Sequence, residues 1–144
     1  MPEVHALDLP TCDRLLRSGT FGRFALTSPR GPEIVPVNYA VRDDAVVVRT
    51  DPTGTLARFG AGAAVVFEVD AVDPDYWHGF SVIARGVGEL VSDPPPPGSG
   101  TPTARPWAAG DRSVELRLAW TELTGRQVGG RPGRAAMATF GRAL

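Results

Sequence analysis

Residues 34–50 read IVPVNYAVRDDAVVVRT, and the rest of the predicted fold is organised around this stretch. Its first half alternates, so that one face of a strand carries Val35, Val37, Tyr39 and Val41. The pair Asp43-Asp44 marks a turn, and the returning strand is apolar on both faces until it reaches Arg49-Thr50. A strand buried on both faces lies in a barrel wall or in a covered sheet. The stretch therefore predicts a β-hairpin inside a packed sheet.

The exit of this hairpin carries polar chemistry. Arg49-Thr50 is followed by the turn Asp51-Pro52-Thr53-Gly54-Thr55-Leu56. Hydroxyl groups, a glycine and the free amides of a short helix start would face the Arg49 guanidinium, which is the chemistry of a phosphate cradle. The alternative is an arginine that caps a sheet edge beside an ordinary turn. The residues alone leave both interpretations open.

The composition bounds the class of protein. A chain of 144 residues with 42% hydrophobic residues predicts one globular domain. The net charge of −1 gives no general attraction to nucleic acid or to a membrane surface. The chain has no lysine, a bias typical of high-GC bacterial genomes, which excludes lysine-linked pyridoxal phosphate chemistry. One cysteine, no signal peptide and no long apolar run predict a cytoplasmic protein without a thiolate metal cluster.

The rest of the pattern predicts a helix and further strands. Asp8-Leu9-Pro10-Thr11 is a helix start, with an apolar stripe that includes Leu9 and Cys12 and a stop at Gly19. A short helical turn follows the hairpin, and the other predicted strands are residues 21–27, 63–70, 80–91 and 114–128. Gly86 and Gly88 predict a bend or bulge in the strand 80–91. Five or six short strands indicate a small antiparallel β-barrel. Such a barrel holds a cofactor in an external groove, often completed by a second subunit.

Two segments lack regular patterning. Residues 92–110 are rich in proline and glycine and are predicted to be an exposed linker within a domain spanning 1–128. Residues 129–144 contain Arg131, Arg134 and Arg142 but no acid, and they are predicted to be a flexible tail and not a nucleic-acid-binding arm.

Several carboxylates, histidines and aromatic residues are further candidates for catalysis or binding. Glu68 and Asp70 share one face of a strand, and a polar outer barrel face is favoured over a catalytic carboxylate pair. His5 and His78 are the only histidines, and their spacing suits no metal site. The loop Tyr76-Trp77-His78 either shapes a ligand pocket or packs at the surface; the residues do not decide. Buried Cys12 is interpreted as structural.

An ordered set of short motifs points to a family. The motifs are Gly22-Arg23, Pro36-Val37-Asn38-Tyr39, Val48-Arg49-Thr50, Phe67-Glu68-Val69-Asp70, Gly79-Phe80-Ser81-Val82, Arg85-Gly86 and Thr124-Gly125-Arg126. In order and spacing the chain, from about Leu9 to Arg126, resembles the pyridoxamine 5′-phosphate oxidase-like proteins with an FMN-binding split barrel.

The resemblance implies a mainly β fold, a six-stranded antiparallel split barrel with a short N-terminal helix and small peripheral helices. It also implies a homodimer that holds FMN at the subunit interface and acts as an oxidoreductase on a small substrate. The phosphate is expected at Arg49, Thr50, Gly54 and Thr55. The isoalloxazine ring is expected beside Val37 and Asn38 and beside Ser81-Val82. No catalytic residue is assigned, because the flavin itself transfers the electrons.

One departure concerns the phosphate turn. The family often has Gly-Ser/Thr-Lys-Leu there, whereas this chain has Thr53-Gly54-Thr55-Leu56, so that Thr55 replaces a lysine. Arg58 is the expected compensating cation. Relatives of this fold also use the deazaflavin F420, and Arg14, Arg17 and Arg58 are candidates for a basic groove for it. The alternatives to an FMN enzyme are therefore an F420-dependent reductase and a non-catalytic dimeric ligand-binding protein that has lost tight FMN binding.

Overall fold

A computed structural model describes residues 2–129, which form one antiparallel sheet curled into a split β-barrel. The predicted mainly β architecture is confirmed. The strands in this range are β1 (Val4–Ala6), β2 (Phe21–Ser28), β3 (Gly31–Asn38), β4 (Ala40–Arg42), β5 (Ala45–Thr50), β6 (Ala64–Asp73), β7 (His78–Val91) and β8 (Val114–Val128). Helix α1 spans Leu9–Ser18, and a five-residue helical turn spans Leu56–Gly60. Of the predicted tail, residues 129–144, all but Gly129 lies outside the described residues.

The order of the strands locates the split. The sheet runs β3-β2-β6-β7-β8-β5-β4, and β1 pairs with β8. The two ends of this path, β3 and β4, follow each other along the chain. Strand β3 comes close to β5 without forming a ladder with it. The barrel is therefore open between β3 and the end of β5, where the backbone edges leave room for a ligand.

The predicted hairpin is only half right. Its turn is confirmed, because Arg42 pairs with Ala45 and Asp43 adopts a φ of 54°. The first half does not pair with the returning strand, since β3 pairs instead with β2. The strand is interrupted at Tyr39. Its amide donates to Thr20 O (3.0 Å), and its buried hydroxyl donates to Leu16 O. This break, together with the unpredicted strand β1, gives eight strands in the described range where six were expected.

The core lies inside the barrel and under α1. Residues 45–48 of β5 are all fully buried, which confirms the prediction that this strand is covered on both faces. Phe24 and Phe67 pack together with ring centroids 4.9 Å apart. Helix α1 begins where Asp8 accepts a hydrogen bond from Thr11 N (2.9 Å), as the sequence predicts. Leu9 is 61% exposed, however, because the first turn of α1 lies at the edge of the apolar stripe.

The predicted bend in the long strand β7 is also confirmed. Its register with β8 shifts between Arg85 and Gly86, which is a β-bulge. Gly88 then passes so close to the helical turn that a Cβ atom would lie 2.1 Å from the Gly60 carbonyl oxygen. The bend therefore brings β7 against the turn that follows β5.

The segment between β7 and β8, residues 92–113, contains no helix or strand, and we call it the strap. Most of its residues are exposed, as expected for a linker, but it also packs along the barrel at several points. Pro94 is buried, and Ala104 is 2% exposed. The Arg49 guanidinium donates to Pro95 O, and Arg42 Nη1 donates to Pro102 O (3.2 Å). The strap thus crosses the split of the barrel.

Candidate functional site

A cavity of about 240 Å³ lies in the split, between β3, the end of β5 and the strap. Its walls come from four parts of the chain that are distant in sequence. They are Val35, Pro36, Val37 and Asn38 of β3, Arg49 and Thr50 of β5, Asp51, Gly54 and Leu56 of the following turn, and Pro106, Ala108 and Arg112 of the strap. The fold therefore gathers a mostly polar end and an apolar wall into one slit.

Two side chains of this slit have buried hydrogen-bond donors without partners. Asn38 Oδ1 accepts from Trp107 N (3.0 Å), but Asn38 Nδ2 is buried and makes no hydrogen bond to the described residues. Arg49 donates from one terminal nitrogen to Pro95 O, while its Nε atom is buried and has no partner in the same range. A buried donor left unpaired costs about 1–3 kcal/mol. Both donors would regain that energy by binding an acceptor on a ligand.

The slit also holds more positive than negative charge. Arg49 and Arg112 both line it, and within the described residues neither forms an ion pair with a carboxylate. Asp51 is the acid of the slit. Hydrogen bonds from Thr53 lower the pKa of Asp51, and the charge of Arg112 lowers it further. Two arginines and one carboxylate leave a net positive slit, which favours an anionic ligand.

The structure brings together part of the predicted site. The predicted cofactor residues that line the slit are Val37, Asn38, Arg49, Thr50 and Gly54. Thr55 and Arg58 are not among its lining residues. The Arg58 guanidinium lies 4.9 Å from the centre of the Phe59 ring, and the side chain is on the exposed side of the helical turn. Arg58 therefore does not lie in the slit, where the expected compensating cation would have to be.

Two backbone amides of the turn after β5 have partners inside that turn. Thr53 N donates to Asp51 Oδ1 (2.8 Å), and Gly54 N donates to Asp51 O (3.0 Å). These two amides are occupied within the turn. Binding of an anion by the amides at the start of the helical turn, Leu56–Gly60, stays a prediction.

Ser81 and Val82 lie elsewhere. Val82 is fully buried in the barrel core. Ser81 lies on the outer face of the sheet, where it lines a groove of about 630 Å³ together with Trp77, His78 and Arg126. The aromatic loop contributes to a groove, and a role of this groove in ligand binding stays a prediction. The groove shares no lining residue with the slit.

The F420 groove suggested by the sequence is not assembled at the slit. None of Arg14, Arg17 and Arg58 lines it. Arg17 pairs with Asp13 (2.9 Å) and Asp44 (2.8 Å), and Arg14 donates to Thr11 Oγ1 (3.2 Å). Within the described residues no cluster of three or more His, Cys, Asp or Glu side chains is placed to hold a metal ion.

Glu68 and Asp70 form a charge cluster with Arg23 on the outer face of the sheet. Arg23 Nη1 lies 2.8 Å from Glu68 Oε1 and 3.2 Å from Asp70 Oδ2. Burial, and after it the neighbouring Asp70 carboxyl group, raises the pKa of Glu68 to about 7, although Arg23 opposes both effects. Neither carboxylate lines the slit. The cluster is a polar outer surface with one carboxyl group that titrates near neutrality.

The cluster predicts a pH dependence of stability. The raised pKa of Glu68 means that the folded state holds a proton that the unfolded state releases above its ordinary pKa of 4.5. Stability from this group is complete below that value and is lost as the pH rises through about 7. We expect the free energy of unfolding to fall by about 1 kcal/mol between pH 5 and pH 8, since both carboxylates are partly exposed and screened by water.

Urea unfolding of the wild type and of Glu68→Gln across this pH range tests that expectation. The glutamine variant should lose the decline, because it cannot release a proton. Glu89→Gln is the matched control, since Glu89 pairs with Arg117 on an exposed part of the barrel. A decline of equal size in Glu68→Gln and in the wild type would contradict the assignment to Glu68.

Signals in the sequence found β3 and β5 but missed the strap. Arg112 follows Gly110-Asp111 in a segment without periodicity, so no pattern predicts where its side chain lies. The apolar strap residues Pro106 and Ala108 were missed for the same reason. Their position depends on contacts between the strap and strands distant in sequence.

A curled antiparallel sheet, open between β3 and β5 and with a polar slit at the opening, defines the class of split β-barrel proteins. Residues 8–127 match the model of the pyridoxamine 5′-phosphate oxidase family. The chain belongs to this family, and the resemblance stated from the sequence motifs is confirmed. No helix in the described part of the chain has both the length and the apolarity to cross a membrane.

Individual relatives agree with this assignment. The uncharacterized protein Rv0080 of Mycobacterium tuberculosis is 38% identical over 97 residues. These cover 64% of each chain, so the alignment spans just under two thirds of that relative. The FAD binding protein from Mycobacterium smegmatis is 28% identical with a TM-score of 0.67, and the match covers 87% of this chain and 98% of that one. A FAD-binding protein from Mesorhizobium loti, 20% identical with a TM-score of 0.68 and coverage of 90% and 100%, shares the fold.

Proposed function

We propose that this protein binds a flavin nucleotide in the slit and acts as an FMN-dependent oxidoreductase on a small-molecule substrate. The observation that carries the proposal is the pair of buried, unpartnered donors, Asn38 Nδ2 and Arg49 Nε, in one slit. A flavin nucleotide carries hydrogen-bond acceptors for both donors. Its ring has carbonyl oxygens and ring nitrogens, and its tail ends in phosphate.

The residues of the slit fit a flavin in distinct roles. Arg49 and Thr50 would hold the phosphate, and Asn38 and the backbone beside Val37 would border the ring. Bound flavin supplies hydride or single-electron transfer. The protein's own contribution is then to bind and orient the flavin and to limit water in the slit. No acid or base of this chain needs to be assigned for that role.

The size of the cavity supports a homodimer. Ligand sites usually occupy roughly 300–1,000 Å³, whereas one protomer offers about 240 Å³ in the slit. The outer face of the sheet carries large apolar side chains that one protomer leaves exposed, including Ile34 (70%) and Val72 (76%). We propose that a second copy covers this face and completes the flavin site, with Ser81 of the outer face as a residue of the completed site.

The choice among cofactors is testable on the purified protein. We expect a flavin absorption spectrum at about one flavin per subunit, and a cofactor released by heat that is FMN. FAD is the first comparison, because the relative from Mycobacterium smegmatis is a FAD binding protein. Titration of the apoprotein with FMN, FAD, F420 and haemin then ranks the ligands by affinity.

Each result of that titration has one meaning. Tightest binding of FMN supports the proposal, and tightest binding of FAD keeps the flavoprotein but changes the cofactor. Preference for F420 would replace the proposal with a deazaflavin-dependent reductase, and preference for haemin would replace it with a haem-binding protein. A colourless protein that binds none of the four would contradict the flavoprotein proposal and favour a dimeric ligand-binding protein.

A further inference from the structure

The strap is held across the slit by contacts at three places along its path. Near its start, Pro95 O accepts from the Arg49 guanidinium. In its middle, Pro102 O accepts from Arg42 Nη1 (3.2 Å). Further on, Trp107 N donates to Asn38 Oδ1 (3.0 Å), and the Trp107 ring stacks on Phe21 with centroids 6.3 Å apart and an interplanar angle of 15°. These anchors make the strap a fixed wall of the slit.

Arg112 is the charged residue that this wall places in the slit. It is half-buried and lines the cavity with Arg49 and Thr50. Its Nη1 atom donates to the carbonyl oxygen of the preceding residue, Asp111 (2.8 Å), which fixes one side of the guanidinium. It forms no ion pair within the described residues, and its charge lowers the pKa of the neighbouring Asp51.

The turn after β5 lacks a cation of its own at this place. Thr55 is uncharged, and neither Thr55 nor Arg58 lines the slit. A phosphate monoester carries a charge of about −1.5 to −2 at neutral pH. Arg49 alone would leave part of this charge unpaired, and the nearby Asp51 carboxylate would repel it.

We infer that Arg112 supplies the second cation for the phosphate of the bound nucleotide, so that the strap is part of the binding site. This inference rests on the proposed function, because it concerns the phosphate end of the same ligand. Arg49 and Arg112 both line the slit, one from β5 and one from the end of the strap that leads into β8, the strand paired with β5. The ligand class this favours is a flavin that carries a terminal phosphate over one that lacks it.

The test compares FMN with riboflavin, which has the same ring and ribityl chain but no phosphate. Dissociation constants are measured by quenching of flavin fluorescence on the full-length wild type, Arg112→Ala and Arg112→Gln. Arg105→Ala is the matched control, since Arg105 is an exposed arginine of the same strap outside the slit. Arg112→Gln retains a side-chain hydrogen-bond donor for the carbonyl of Asp111. A loss of FMN affinity in this variant is therefore not explained by a loosened strap.

We expect both Arg112 variants to bind FMN at least tenfold more weakly than the wild type and to bind riboflavin with unchanged affinity. Arg105→Ala should match the wild type for both ligands. FMN affinity within twofold of the wild type in Arg112→Gln would overturn the inference, as would an equal loss for FMN and riboflavin. Failure of the wild type to bind either flavin would instead contradict the proposed function, so the two failures are distinguishable.

Discussion

Replacing Arg49 by alanine is expected to weaken FMN binding about ten- to a hundredfold. A hydrogen bond to a charged group contributes about 1.5–3 kcal/mol, and every 1.4 kcal/mol is about a tenfold change in affinity. Arg49 combines a charge without an acidic partner in the described residues and a buried Nε donor without a partner. The slit therefore loses both its first cation and one of its two available buried donors.

Arg49→Lys separates these two contributions. Lysine keeps the positive charge but has no Nε–H group beside the β5 backbone, and it cannot present the planar fork of a guanidinium. We expect an intermediate loss of FMN affinity in Arg49→Lys. Thermal unfolding of the apoprotein serves as the control, because Arg49 also binds Pro95 O of the strap. An Arg49→Ala protein that folds as the wild type and binds FMN equally well would remove Arg49 from the phosphate site.

Local signals in the sequence were sufficient for most of the barrel. The valine-rich residues 45–48 predicted a strand covered on both faces, and all four side chains are fully buried. The turn at Asp43 and the glycine bend of β7 were predicted for local reasons too, a left-handed residue and a β-bulge. In each case neighbours in the chain determine the backbone conformation.

The errors in the fold come from contacts between distant parts of the chain. The predicted hairpin partner of β5 pairs with β2 instead, because Tyr39 leaves the ladder to bond Thr20 O and Leu16 O. Strand β1 has three residues, too few for an alternating pattern, and it exists because β8 offers it an edge. Neither partner is visible in the local sequence.

The same distinction holds for the candidate site. Asn38 and Arg49 were found because each lies at the end of a strand within a family-like motif, and the structure places both in one slit. Arg112 was missed because nothing in a proline- and glycine-rich strap fixes a side chain until Arg42, Asn38 and Arg49 anchor that strap. Sequence motifs therefore located the rigid half of the site, and tertiary contacts created the other half.

The strap itself depends on a buried ion pair. Glu115, at the start of β8, is fully buried, and its carboxylate accepts hydrogen bonds from both terminal nitrogens of Arg42. Arg42 Nη1 also holds Pro102 O. One guanidinium thus neutralises a buried carboxylate and anchors the strap at the same time.

Arg42→Ala is expected to destabilise the protein by about 3–5 kcal/mol, because it leaves the Glu115 charge buried without its partner. For a chain of this size the loss corresponds to a fall of about 10–20 °C in Tm, measured by calorimetry. An exposed arginine provides the control, and Arg30→Ala should change Tm by less than about 2 °C. A fall in Tm of less than about 2 °C in Arg42→Ala would show that the Glu115 carboxylate finds other partners.

The double variant Arg42→Met with Glu115→Leu separates the ion pair from the anchor. Replacing both members of a buried pair by apolar side chains is often neutral or stabilising, so the double variant should regain most of the lost Tm. It cannot restore the hydrogen bond to Pro102 O, whereas the strap keeps its packing and its contacts with Arg49, Asn38 and Phe21. If the strap positions Arg112 for the phosphate, this stable variant should still bind FMN about three- to tenfold more weakly than the wild type, which is the loss expected for one hydrogen bond of about 0.5–1.5 kcal/mol. Wild-type affinity in the double variant would mean that the remaining contacts suffice to hold the strap.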